Sequence, residues 1–120
     1  FFSDMLRGVE DVLHAARYSL TVCNTDEVLE REAHYLDLLL EHQVDGIIAA
    51  ATSQHLGALQ EAALKHTPIV FVDRHFPDLQ GPYVGADNEG GAYLGTRHLI
   101  ERGYETIGIL AGFQRLSSMR

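Results

Sequence analysis

The sequence predicts an α/β fold: a mostly parallel sheet flanked by helices. Two observations carry this expectation. Five short apolar runs of strand length recur along the chain, at residues 20–23, 46–51, 69–72, 83–86 and 107–111. Between most of them lie segments whose apolar residues repeat every three or four positions. Gaps of that kind supply the crossovers that parallel strands need, and alternation of strands with helices puts helices on both sheet faces.

The elements follow in order. Met5, Val9, Val12 and Ala16 form the apolar row of a first helix, with Ser3 placed to cap it and Asp4 suited to its first turn. Leu6 and Leu13 make a second row beside the first. The run at 20–23 follows. Leu29, Ala33, Leu36 and Leu40 mark a second helix, with acids and Arg31 on the other face and Thr25 or Asp26 as its cap. The run at 46–51 could be helical by composition, but Val44-Asp45-Gly46 and Thr52-Ser53 favour a strand. Leu56, Leu59 and Ala63 mark a third helix.

Pro68-Ile69-Val70-Phe71-Val72-Asp73 is β-branched and unbroken, the pattern of a strand covered on both faces. The gap from Asp73 to Tyr83 is too short for a helical crossover and holds Pro77 and Pro82, so an irregular connection is expected. Ala92, Gly95 and Leu99 mark a fourth helix, opening near Asp87-Asn88-Glu89 and stopping at Arg102-Gly103. Because the order opens on a helix, a first strand is expected upstream of Phe1, lying in the sheet between 20–23 and 46–51. Buried unpaired backbone groups cost roughly 1–3 kcal/mol each, against about 5–15 kcal/mol for a whole domain. The 120-residue piece is therefore not expected to fold stably as an isolated lobe. Ladder bonds between 20–23 and 46–51 would contradict that strand order.

Composition narrows the function. A chain of 120 residues reads as one domain with room for a core, and 46% hydrophobic with 22% charged is ordinary for a globular one. The net charge is −8, and duplex binding needs cations. DNA binding is expected only through a segment outside these residues, and membrane-surface binding is disfavoured. No apolar run nears the roughly 20 residues of a membrane span. Cys23 is the only cysteine, so no intrachain disulfide forms. The seven histidines show no metal-ligand spacing and no cysteine cluster, so no metal or other cofactor is expected. No nucleophile elbow or phosphate loop occurs, and Asp87 and Glu89 would repel a phosphate at the glycine-rich 85–91 stretch. No catalytic residue is assigned.

Specific stretches resemble the LacI/GalR regulators. They are Phe1-Phe2-Ser3-Asp4-Met5-Leu6-Arg7-Gly8-Val9-Glu10, Tyr18-Ser19-Leu20-Thr21-Val22-Cys23-Asn24-Thr25-Asp26-Glu27, Val44-Asp45-Gly46-Ile47-Ile48, Val72-Asp73-Arg74, Val84-Gly85-Ala86-Asp87-Asn88 with Gly91-Ala92, and His98-Leu99-Ile100-Glu101-Arg102-Gly103-Tyr104. Tyr35-Leu36-Asp37-Leu38-Leu39-Leu40, the Pro68-Ile69-Val70-Phe71 that leads into Val72-Asp73-Arg74, Ile107-Gly108-Ile109-Leu110-Ala111-Gly112 and the closing Ser117-Ser118-Met119-Arg120 complete the set. Each is weak alone; their order and spacing cover residues 1–120. Phe113 departs from the pattern, which has proline there.

The resemblance implies a Rossmann-like lobe of the type I periplasmic-binding-protein class, with sheet order 2-1-3-4-5. It implies the N-terminal lobe of a cytoplasmic effector-binding domain, with the helix-turn-helix and second lobe outside residues 1–120. It also implies a small effector, with sugars the leading class, whose binding controls operator affinity, and a homodimer near whose axis Leu6 and Leu13 would lie. The alternatives are a periplasmic sugar-binding protein of a transport or chemotaxis system, and a small sugar-phosphate-handling α/β enzyme.

Six residues are candidate effector contacts. By the resemblance, Phe1 and Phe2 would lay rings on a flat ligand face, the alternative being packing under the sheet. Asp87 and Asn88 would bond effector hydroxyls beyond a strand's carboxyl end, or cap a helix. Arg74 would fork onto hydroxyls or a carboxylate, or pair with Asp73 inside its loop. Arg120, again by resemblance, would lie in or beside a loop that reaches the effector.

Overall fold

The computed structural model describes residues 1–51, 57, 59, 61, 67–76 and 81–110. In order, its elements are α1 (Phe2–Ala15), α2 (Leu29–Glu41), β1 (Ile47–Ala49), β2 (Ile69–Val72), β3 (Tyr83–Val84) and α3 (Asn88–Glu101). Gly57, Leu59 and Glu61 are helical, where the sequence expects its third helix; Leu56 and Ala63 lie outside the described residues. So does Pro77.

The sheet has the order β1-β2-β3 and both ladders are parallel. Ile47 stands opposite Ile69 and Ala49 opposite Phe71, so these four residues share one face. That face is the core. Ile47, Ile69 and Phe71 are buried with Leu36 of α2, Ala51, Leu59 and Phe76, and Leu39, Leu40, Val44 and Ala49 pack against them. The other face is barer than the unbroken apolar run suggests: Ile48 is exposed, and Val70 and Val72 are half-buried.

Two expected strands are not strands. Residues 20–23 and 107–110 are irregular, and Leu20, Val22, Ile107, Ile109 and Leu110 are exposed. Position 111 lies outside the described residues. A β run is stable only where its backbone donors and acceptors meet a neighbour, and among the described residues neither run has a ladder. The pairing of 20–23 with β1 that would contradict the expected strand order is likewise absent among them.

The helix starts correct the sequence reading in two places. Phe1, not Ser3, is the N-cap of α1, and its carbonyl accepts from the Met5 N–H at 3.0 Å. Val28, not Thr25 or Asp26, is the N-cap of α2. The Asp26 carboxylate is engaged otherwise: it accepts from Asn24 Nδ2 at 2.8 Å and pairs with Arg31. Neither Phe1 nor Val28 makes a side-chain cap bond.

The helix faces also differ from the periodic rows. In α1, Met5, Leu6, Val9 and Leu13 are half-buried, whereas Val12 is exposed. In α2, Leu36 is buried but Leu29 is exposed. Ala92, Gly95 and Leu99 of α3 are all exposed. The end of α3 is as expected: Arg102 is the C-cap and Gly103 follows at φ 88°, the left-handed turn that a side chain resists.

Candidate functional site

Parallel pairing sends β2 and β3 to the same sheet edge, so the residues that follow each strand are neighbours there. Asp73-Arg74 follows β2, and Asp87-Asn88 comes shortly after β3. The carboxyl edge of a parallel sheet is where open α/β folds bind ligands, because the chain leaves the ladder there and its polar groups are free to face outward.

Each of the two strands is followed by a tight turn centred on an aspartate. At Asp73, φ is 67° and the Arg74 N–H donates to the Val72 carbonyl at 2.8 Å. This is the rarer, strained γ-turn, with its central residue left-handed. At Asp87, φ is −76° and ψ 78°, and the Asn88 N–H donates to the Ala86 carbonyl at 2.9 Å. That is the relaxed, inverse form. The Asp87 carboxylate then accepts from the Gly90 N–H at 2.8 Å and caps α3. The expected cap is therefore present. Cap bonding to Gly90 uses Oδ1.

Arg74 is not paired with Asp73. Its guanidinium pairs with Glu27, on the loop before α2. Local sequence cannot reveal that partner, because the two residues are 47 positions apart. The arginine side chain is only 12% exposed, against 67% for Glu27. Beside it, Phe71, His75, Phe76, Gly81 and Tyr83 line a crevice with a cavity volume of about 10 Å³, room for roughly one water.

Tyr83 is a member of the cluster that sequence reasoning passed over. Its hydroxyl donates to the Asp73 carbonyl at 2.9 Å. Its ring meets His75 edge-on at 5.0 Å between centroids.

Phe1 and Phe2 stack edge-to-face at 5.4 Å, and are 73% and 50% exposed. No hydrogen bond, ion pair or ring contact among the described residues joins them to Arg74, Asp87 or Asn88. Arg120 lies outside the described residues. Among the described residues, no group of three His, Cys, Asp or Glu could hold a metal ion. No helix among them is long and apolar enough to cross a membrane.

The chain is thus a parallel α/β lobe with polar turns at the carboxyl edge of its sheet, the edge at which open α/β folds bind ligands. The family of periplasmic binding proteins and sugar-binding domains of the LacI family matches residues 1–119, and the chain belongs to it. The ribose operon repressor of Halalkalibacterium halodurans is 38% identical over 112 residues, covering 93% of this chain and 33% of that protein. The HTH-type transcriptional repressor PurR of Aliivibrio salmonicida is 34% identical over 114 residues, covering 93% and 34%. The crystal structure of the transcription regulator CcpA of Lactococcus lactis superposes with a TM-score of 0.85 at 29% identity, covering 98% of this chain and 44% of that one. The chain thus spans about a third of the length of the curated relatives it matches.

Proposed function

We propose that this chain is the N-terminal lobe of the effector-binding domain of a cytoplasmic, LacI-type transcription regulator, and that it is not an enzyme. The carrying observation is the cluster of Arg74, Asp87 and Asn88 at one sheet edge of a lobe whose relatives are repressors. The effector is a small polar molecule, with sugars the leading class. Arg74 and Asn88 bond its hydroxyls, Asp87 contributes whatever lone pairs its cap bond leaves, and Phe1, Phe2 and Arg120 complete the contact from their own segments. A second lobe closes over the ligand, and closure changes the affinity of a homodimer for operator DNA through a separate DNA-binding segment. The repressor relatives support this reading over a transport receptor.

The test is calorimetric titration of the full-length protein with a panel of pentoses and hexoses, D-ribose included. It is paired with operator binding measured with and without each sugar. Micromolar binding of one sugar, weakened at least tenfold by Arg74→Ala, is the expected outcome. An affinity unmoved by Arg74→Ala would remove Arg74 from the site, and no response to any sugar would remove the effector class.

A further inference from the structure

The strained turn at Asp73 needs something to hold it, and the structure supplies two holds. The Asp73 N–H donates to the Val84 carbonyl at 3.1 Å, extending the β2–β3 ladder by one residue. The Asp73 carbonyl accepts from the Tyr83 hydroxyl. Strand register explains the reach. Phe71 stands opposite Tyr83 and Val72 opposite Val84, which sets Asp73 beside Gly85. Tyr83 and Gly85 are two apart and share a face, so the ring must lie across Gly85 to reach the next strand. A Cβ built on Gly85 would fall 1.9 Å from the Tyr83 hydroxyl oxygen and 2.4 Å from Cζ. The glycine leaves the space the ring occupies.

The consequence falls on Arg74. A left-handed residue reverses the chain direction immediately before it, so the conformation of Asp73 decides where Arg74 emerges. We infer that Tyr83 is the positioning residue of the effector site: it acts through the Asp73 carbonyl to aim Arg74, and Gly85 is the vacancy that lets it do so. His75, edge-on to the same ring, fixes it from the side. This inference rests on the reading that Arg74 faces the effector.

The test uses the full-length protein and D-ribose as the probe. Tyr83→Phe keeps the ring and removes only the hydrogen bond. It is expected to weaken binding about threefold to tenfold, the range that one net hydrogen bond spans. In an Arg74→Ala background the same change should alter affinity less than twofold, because a residue acting through Arg74 has nothing left to aim. Equal losses in both backgrounds, or none in the wild-type background, would overturn the positioning role. If Arg74→Ala leaves binding intact, the site reading itself has failed.

Amide exchange gives a ligand-independent arm. Exchange of the Arg74 N–H should speed up at least threefold in Tyr83→Phe and in Gly85→Ala, while that of the Val70 N–H in the same strand stays unchanged. Unchanged exchange at Arg74 in both variants overturns the inference whether or not ribose binds.

Discussion

Asp87 joins a relaxed turn to a helix, and among the described residues it is the one N-cap whose side chain bonds to its helix. Asp87→Ala should therefore cost about 1 kcal/mol of stability, with Asp87→Asn close to neutral; urea unfolding of the full-length protein measures both. At Gly81, a Cβ would fall 2.8 Å from Cε2 of Phe71, a ring that is 4% exposed and central to the core. Gly81→Ala must shift that ring, and overpacking of this kind costs roughly 1–3 kcal/mol. A loss within roughly 0.5 kcal/mol, the ordinary scatter of surface changes, would mean the ring moves freely. Legibility ends where contacts stop being local in sequence. The cap was readable because Asp87 and the Gly90 it bonds are three positions apart. The Tyr83 hold on Asp73 and the Glu27 partner of Arg74 were not, because cross-strand register and loop approach decide them.

At the scale of elements, α2 separates residues that periodicity treats alike. Leu36 is buried on the sheet while Leu29, in the same row, is exposed. Leu36→Ala should lose about 2–5 kcal/mol and Leu29→Ala within about 0.5 kcal/mol, read from paired denaturant curves. Similar losses at both positions would show that α2 sits in another rotation. The helices themselves were readable because their apolar spacing is an internal property. Strands are not internal in that sense. Residues 20–23 and 107–110 have the composition of β1 and β2, yet only the latter pair finds ladders among the described residues. Helix starts were misread for a related reason: Asp26 has the chemistry of a cap but turns at φ 49° and gives its carboxylate to Asn24 and Arg31.

At the scale of the whole molecule, the net charge of −8 sets a clear expectation for DNA. A protein consisting of residues 1–120 should show no sequence-specific operator binding even at low salt, where phosphate attraction is strongest. Fluorescence anisotropy against operator and scrambled duplexes checks this, and discrimination between the two would reverse it. The parallel sheet has a further consequence, for the order in which the protein folds. Among the described residues it holds no hairpin: Ile47 must find Ile69, and Phe71 must find Tyr83, across connections longer than the roughly two to five residues of a hairpin loop. Each ladder must absorb its loop-closure entropy before any of its contacts form. The helices, whose bonds are local, can appear in about a microsecond. During synthesis α2 emerges well before β2 is available, so Leu36, Leu39 and Leu40 wait uncovered until the middle of the chain arrives. The interval in which this lobe is most exposed to aggregation or a chaperone thus lies between the appearance of α2 and the pairing of β2.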